Sequence, residues 1–337
     1  MKTTDFAKYL SDFLSIYLVD ERGASDNTVK SYRDTFVLFI GFLNSTEGIG
    51  VNKINLSHIT CDRVTAFLNW LQKEKRCSAS TRNNRLAAIH SFVKYVQYRH
   101  PDHIYEFQRV LSIKSKRHER GNINYLSLEG IRLLLSMPDT KTRKGRRDLA
   151  LLSVMYDVGA RVQEVVDLTV QDVHSEKPYY VIIHGKGRKI RTVPMTSEQM
   201  DILLRYMNEN GLTKGECRPY PLFTNNRKEK LTRGGITHII KKYAAKARSV
   251  NGEIIPKSIC CHSLRHSKAM HLLQAGVNLV YIRDILGHVS IQTTEVYARA
   301  DSKQKREAIE KAYTKVSPDI TPLWEGNDDM LEWLKSF

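Results

Sequence analysis

The sequence predicts a mainly α-helical protein with one small antiparallel β-sheet, arranged as two folded domains. Three observations carry this expectation. Apolar residues recur at helical spacing through most of the chain. Two strand-like runs, 179–184 and 189–194, flank the turn Gly185-Lys186-Gly187-Arg188, whose glycines permit the positive φ a hairpin needs. Residues 114–122 (Lys-Ser-Lys-Arg-His-Glu-Arg-Gly-Asn) carry no apolar side chain, the composition of an exposed basic linker. A length of 337 residues accommodates a separate core on each side of that linker.

Taken in order, Phe6, Tyr9, Leu10, Phe13, Leu14 and Tyr17 form a stripe on a first helix over residues 6–21, which Gly23 stops. Ser25-Asp26-Asn27 offers caps for a second, through Val29, Tyr32, Phe36, Phe39 and Ile40. A third starts near Thr60 with Val64, Phe67, Leu68 and Leu71, and a fourth follows Ser78-Ala79-Ser80-Thr81 with Leu86, Ile89, Phe92 and Val93. Residues 1–113 therefore read as a helical bundle, with Lys30, Arg33, Arg82, Asn83 and Arg85 expected on its exposed faces. The second domain, 123–316, opens with Ser127 capping a helix through Leu135. An apolar helix over 146–157 is interrupted at Gly159-Ala160-Arg161, and the pattern restarts with Val162, Val165 and Val166. That places Arg161 at a helix N-terminus, with Glu164 one turn on facing the same way. Lys186 falls at the hairpin tip. Helices over 200–208 and 236–248 follow, the second entered from Thr232-Arg233-Gly234-Gly235 and punctuated by Lys241, Lys242 and Lys246, a candidate groove-reading element.

Lys and Arg number 53 against 36 Asp and Glu, a net charge of +17, of which +7 falls in residues 1–117 and +10 in the rest. An excess of that size points to a polyanionic partner, most often nucleic acid, although a generally basic protein shows it too. Singly, such side chains are ordinary solvated charges. As a set, Lys30, Arg33, Arg82, Asn83, Arg85, Lys114, Lys116, Arg117, Arg188, Arg233, Lys241 and Lys242 are the candidates for phosphate contact. Five irregularly spaced cysteines suit a reducing cytoplasm rather than a disulfide framework. The sequence has no apolar run long enough to span a membrane and no apolar core of a signal peptide near Met1. A cytoplasmic protein with no membrane partner is expected.

The chemistry concentrates between Cys260 and Tyr297. His262 and Arg265 lie at i and i+3 near the start of a helix, presenting an imidazole and a guanidinium on one face. A helix from Leu279 to Leu286 ends at Gly287 in the C′ role, with His288 just beyond, and Ser290 caps a last short helix carrying Tyr297. Cys260, Cys261, His262, His266 and His288 fit no usual zinc spacing, so neither metal nor cofactor is expected. A GxSxG elbow and a Walker A loop are both absent.

These residues resemble the C-terminal signature of the tyrosine recombinases, the phage integrase family: His262-Ser263-Leu264-Arg265-His266, Leu286-Gly287-His288, and Tyr297 nine residues on. Gly159-Ala160-Arg161 with Glu164 and the Gly185-Lys186-Gly187 hairpin match the family's two upstream elements, in the family's order. The resemblance covers about residues 5–315. It implies an N-terminal helical core-binding (SAM-like) domain and a C-terminal α+β catalytic domain. It also implies site-specific recombination of double-stranded DNA at inverted repeats, without metal or ATP, through a 3′-phosphotyrosyl intermediate and a Holliday junction. Arg161 and Arg265 would clamp the scissile phosphate, Tyr297 would attack it, and Lys186 would protonate the leaving 5′-oxygen. His262 would serve in proton transfer from Tyr297, His288 would hydrogen-bond the phosphate, and Glu164 would orient the set. Ala160, where a larger aliphatic residue is common, and Lys268, at a position usually uncharged, depart from the pattern. The sequence opens directly on the core-binding domain, an arrangement expected to set it apart from integrases that bind separate arm sites.

The acidic tail, 317–337, places Met330, Leu331, Trp333, Leu334 and Phe337 on one side of a short helix. By resemblance it docks on a neighbouring protomer, giving a homotetramer on DNA and a monomer or weak dimer when free. Two other readings stand beside this one. A type IB topoisomerase-like nicking enzyme shares the chemistry without needing the tail. A catalytically inactive DNA-binding accessory protein has no reason to keep all six catalytic positions.

Overall fold

The computed structural model describes residues 3–117, 123–185, 187, 189–288, 290–300 and 335. The chain divides into two compact units, Met1–Gly121 and Asn122–Phe337. The first is helical. α1 (Asp5–Asp12) starts where the Thr4 hydroxyl accepts from the Ala7 N–H, and it runs on through π-helical turns, Phe13–Glu21, until Gly23 takes φ +55°. α2 (Asp26–Glu47) follows Ser25, whose carbonyl rather than its hydroxyl accepts from the Thr28 and Val29 N–H groups, and ends at Gly48 in the left-handed region. α3 (Cys61–Lys73) and α4 (Ala79–Gln97) begin at Thr60 and Ser78, whose hydroxyls accept from the N–H groups of Arg63 and Thr81. α5 (Ile104–Leu111), which the sequence pattern did not single out, closes the bundle. Phenylalanines from every helix fill the core, and Phe92 packs edge-on against Phe13 and Phe36 at 5.3 and 5.0 Å between ring centres. Each such ring contributes about 1.5–3 kcal/mol by leaving water.

The second unit places helices around a three-stranded antiparallel sheet. α6 (Leu128–Ser136) starts at Ser127, and α7 (Arg143–Asp157) at Thr142. α8 (Val162–Asp167) leads to β1 (Val173–His174), β2 (Tyr180–His184) and β3 (Ile190–Pro194), in that spatial order. Register pairs Val181 with Val193 and Ile183 with Arg191. Alternation therefore turns Val181, Ile183 and Val193 into the core, which Leu151, Leu152 and Met155 of α7 share. β1 is two residues long, too short to show alternation in the sequence. α9 (Ser197–Glu209) and α10 (Arg233–Val250) complete this core.

α11 (Cys261–Gln274), α12 (Leu279–Leu286) and α13 (Gln292–Ala300) close the chain's described part. They share a smaller core of Ala269, Met270, Leu273, Ile282, Leu286 and Tyr297. Among the described residues no helix is long and apolar enough to cross a membrane.

The start of α7 tolerates no side chain at its third residue. A Cβ on Gly145 would sit 1.9 Å from the Asp139 carbonyl oxygen and 2.9 Å from the Thr142 hydroxyl that accepts the Gly145 N–H. Gly145→Ala is expected to destabilise the second unit by about 1–3 kcal/mol, visible as a lower urea midpoint with an unchanged slope.

Candidate active site

Three arginines from three elements meet at the end of α12. An α-helix leaves its last carbonyls without intrahelical partners. Here the Gly287 and His288 N–H groups cover the Asp284 and Arg283 carbonyls as the chain turns through Gly287 at φ +64°. The next three carbonyls each take a guanidinium. Arg191 Nε donates to Ile285 (2.8 Å), Arg265 Nη2 to Leu286 (2.6 Å) and Arg161 Nη2 to Gly287 (3.3 Å). The negative end of the helix dipole thus faces three positive charges.

Glu164 links two of them. Arg161, in extended conformation ahead of α8, donates its backbone N–H to Glu164 Oε2 (2.8 Å) and Nη1 to Oε1 (2.7 Å). Arg191 Nη2 donates to Glu164 Oε2 (2.8 Å). Burial alone would raise this carboxyl, but hydrogen bonds from Arg191 and Arg161 and the Arg191 charge hold it below its usual 4.5. Arg265, only 3% exposed, gives Nη1 to the Gly159 carbonyl (2.7 Å). Burial and then the nearby Arg161 lower its pKa to about 10, so it stays cationic at neutral pH. Gly159 itself turns the chain out of α7 at φ +59°. A phosphate-sized anion is what such a group of guanidiniums suits, since planar forks match its oxygens.

Tyr297 lies beside them, 3% exposed. Its hydroxyl is 2.9 Å from Nδ1 of His266. His288 stacks its ring nearly parallel to the tyrosine ring, 6.3 Å between centres at 9°, and its Nδ1 lies 2.9 Å from the hydroxyl of the buried Thr294. Burial, then the charges of Arg265, Arg161 and Arg191, push His288 down to about 4, so it is neutral at physiological pH. His262, exposed near the start of α11, is also lowered, by partial burial and by Arg265, Arg161 and Arg233. Burial raises the Tyr297 phenol, with Arg265 and Arg161 opposing.

Residues 124–304 match the phage integrase family, and residues 10–100 match the phage integrase N-terminal SAM-like domain. A putative integrase/recombinase, y4rC, of Sinorhizobium fredii is 34% identical over 337 residues, covering 99% of both chains. The chain belongs to the phage integrase family. It is a tyrosine recombinase, and the tyrosine recombinase XerD of Listeria monocytogenes is 31% identical over 86% of this chain and 92% of its own. Among solved structures, the XerH site-specific recombinase in a post-cleavage complex with palindromic difH substrate has a TM-score of 0.69 at 21% identity, over 86% of this chain and 81% of that one. The Tn1549 transposon integrase bound to transposon right end DNA gives 0.68 at 16%, over 90% and 99%. These two share the fold.

The site of this tyrosine recombinase brings together Arg161, Glu164, His262, Arg265, His288 and Tyr297 from four separate stretches of chain. Lys186 and Arg188 lie outside the described residues, and the described residues on either side of them reach the site. The Gly185 N–H donates to the Lys189 carbonyl (2.7 Å), and a Cβ on Gly185 would lie 3.6 Å from Glu164 Oε1. The expected tie between His262 and Tyr297 is not formed. The tyrosine hydroxyl turns instead to His266, one helical turn further along α11, because Tyr297 enters the small core beside Ala269 and Met270.

His266, named in the sequence only within the motif and among the rejected zinc ligands, and Arg191, only a strand residue there, were given no role at the site. The i, i+4 spacing from His262 and the alternation that aligns Arg191 with Val193 were the available signals. Lys268 is half-buried, with its Nζ 5.2 Å from the Tyr156 ring centre, beside Asp157. Burial raises that carboxyl to about 6, with the Lys268 charge and a hydrogen bond from Gln199 opposing.

On the first unit, Arg82 is corrected. It is buried at 5% exposure rather than on an outer face, because it lies on the inner side of α4 with Nη1 donating to Asn83 Oδ1. Lys30 and Arg33 are exposed, Arg33 pairing with Asp34, while Arg85 donates to the Ser31 carbonyl and Thr35 hydroxyl. Lys114 and Arg117 are exposed. Lys116 is pinned: Asn83 exchanges two hydrogen bonds with its backbone, and its Nζ donates to Gln72. The first half of the basic segment is thereby fastened to the helical bundle. Arg233 and Lys241 are exposed on α10, and Lys242 rests over the Tyr243 ring at 4.6 Å. The tail, 317–337, lies outside the described residues apart from Lys335.

Removing the Glu164 carboxylate leaves Arg161 and Arg191 facing one another without a counter-charge. Glu164→Ala is expected to cost about 3–5 kcal/mol at pH 7. Since the folded pKa is depressed, the part of that contribution linked to ionisation of the carboxyl is present above 4.5 and lost as pH falls through the folded value. The gap between wild type and variant in urea unfolding should therefore narrow on acidification.

Proposed function

We propose that this enzyme cleaves and rejoins DNA at specific sites by attack of Tyr297 on a phosphodiester, conserving the bond as a 3′-phosphotyrosyl link. The observation that carries the reading is the convergence of Arg161, Arg191 and Arg265 on the α12 carbonyls next to the Tyr297 ring. A phosphodiester gains negative charge on its non-bridging oxygens as the phenol oxygen attacks, and fixed guanidiniums stabilise that charge without reorganising. Arg161 and Arg265 are the clamp. Glu164 and Arg191 are positioning residues, since each acts by holding a guanidinium or a carbonyl. His288, neutral and oriented by Thr294, supplies a hydrogen bond to a phosphate oxygen. Lys186, between β2 and β3 in the sequence, gives a proton to the departing 5′-oxygen.

Energy retained in the phosphotyrosyl ester lets a 5′-hydroxyl of a partner duplex reseal the strand, so no nucleotide is consumed. Exchange of one strand pair and then the other passes through a four-way junction, and a homotetramer on paired inverted-repeat sites performs it. Residues 1–113 and 123–316 act as core-binding and catalytic domains, 114–122 as the basic linker. Lys30, Arg33, Asn83, Arg85, Lys114, Lys116, Arg117, Arg188, Arg233, Lys241 and Lys242 contact phosphates, and 317–337 dock on a neighbouring protomer. The XerH and Tn1549 structures, both complexes with DNA, support DNA as the partner.

The test uses a pool of nicked suicide duplexes tiled from DNA flanking the gene. Wild type is expected to give a covalent adduct resistant to denaturation, and Tyr297→Phe none. Arg265→Ala should slow adduct formation by about 100-fold or more. No adduct from wild type on any duplex would overturn the reading. Deleting residues 326–337 should leave binding to a single site intact while weakening higher assembly, read by light scattering.

A further inference from the structure

Behind the guanidinium cluster lies a group of buried titratable side chains that the proposed reaction does not use. Asp157 ends α7 at 8% exposure, and Lys268 lies half-buried on α11. We propose that Asp157 and Lys268 are a pair of positioning residues that hold the turn between α7 and α8 against α11, and through that turn set both arginines of the clamp. The inference rests on the reading of Tyr297 as nucleophile and of Arg161 and Arg265 as its clamp. The packing of the turn carries it. A Cβ on Gly159 would lie 3.7 and 3.9 Å from Cγ and Cβ of Lys268 and 2.8 Å from Leu286 of α12, so the backbone at 159 rests on the lysine stem. The Gly159 carbonyl accepts from Arg265 Nη1 (2.7 Å). Segment 157–161 thus begins at the Asp157 carboxyl and ends at Arg161, and its middle residue supplies the carbonyl that holds Arg265.

The surroundings fix both members. Gln199 of α9 donates to Asp157 Oδ1 (2.5 Å). Lys268 sets its Nζ 5.2 Å from the Tyr156 ring centre, and the Tyr156 hydroxyl lies 2.9 Å from Nδ1 of His271, one turn beyond Lys268 on α11. The groups facing the pair are therefore Tyr156 on α7, His271 on α11, the neutral Gln199 from α9, and Arg132 of α6, whose charge acts on Tyr156. Burying either charge alone is unfavourable. Burial raises Asp157 to about 6 and lowers Lys268, and in each case the charge of the other member opposes the shift. Two opposite charges at one joint favour a single docking of α7 on α11, where an apolar pair would tolerate sliding. The charge at 268 departs from the family pattern, so the pair is a feature of this chain. Below a pH of about 6 the Asp157 carboxyl takes a proton, the pair loses its negative member, and the turn is held less firmly.

The experiment measures single-turnover adduct formation across roughly pH 5 to 9, using folded full-length proteins and the nicked duplex captured by wild type. Wild type is expected to lose rate through a midpoint of about 6, where Asp157 becomes protonated. Asp157→Asn keeps an oxygen to accept from Gln199 but not the charge. It should slow the reaction about tenfold at neutral pH and remove that limb. Lys268→Met takes away the cation that opposes the rise of the carboxyl, and should move the midpoint up by at least about half a pH unit. Gln199→Met, on a different helix, should move it the same way by removing the hydrogen bond. Combining Asp157→Asn with Lys268→Met should cost clearly less than the product of the two single effects, because the pair acts as a unit. Loss of packing alone would lower the rate without moving the midpoint. The inference is overturned if Asp157→Asn keeps the wild-type limb, if neither Lys268→Met nor Gln199→Met raises the midpoint, or if the single effects multiply. Each of these results leaves the adduct formed by wild type, and hence the proposed function, standing. Failure of wild type to form any adduct would overturn both.

Discussion

Arg191, Arg265 and Arg161 each donate to a different one of the three carbonyls that end α12, and the rest of the catalytic unit is arranged to allow it. Three guanidiniums drawn this close repel one another. They are tolerated because the helix end offers them the negative pole of its dipole and because Glu164 bridges two of them. Gly287 is what frees those carbonyls. By turning left-handed it covers only the Asp284 and Arg283 oxygens, and a Cβ there would press to 2.9 Å from Arg191 Nη1. The sheet contributes through β3, which carries Arg191, and α7 through the Gly159 carbonyl that accepts Arg265. Fold and site are therefore one electrostatic problem solved together.

The same charge cluster sets the protonation of its neighbours. His262, His266 and His288 are all shifted below the ordinary imidazole value, by burial first and then by neighbouring charges, guanidiniums for His262 and His288 and His262 before Arg265 for His266. Histidines beside a phosphate would usually be expected to charge. Here the arginines already supply the positive charge, so the imidazoles are left free to accept and donate hydrogen bonds as neutral groups.

Much of this was legible in the sequence, for identifiable reasons. Helix starts were marked by Thr60, Ser78 and Ser127, whose hydroxyls do cap α3, α4 and α6, because a capping hydrogen bond is local. The β2–β3 hairpin followed from two alternating runs and a glycine turn, and the association of Arg161 with Glu164 from their spacing. What the sequence did not disclose depends on contacts between distant segments. Arg82 reads as a surface charge until the packing of α4 turns it inward. The pairing of Tyr297 with His266 spans 31 residues and is decided by how α13 settles against α11. Arg191 looks like any strand arginine until the α12 end, 94 residues away, is placed over it.

Tyr297 is also a core residue, one of six side chains in the small cluster formed by α11, α12 and α13. Side chains such as Met270, Ile282 and Leu286 therefore set the height and tilt of the phenol as well as filling space. In most enzymes the hydrophobic interior can drift by conservative exchange while chemistry is guarded elsewhere. Here that freedom is curtailed. A lost methylene beneath α13 shifts the tyrosine hydroxyl itself, so under the proposed function natural variation in this corner should track catalytic geometry more closely than thermal stability, and engineered repacking there offers a handle on cleavage rate that leaves every polar group in place.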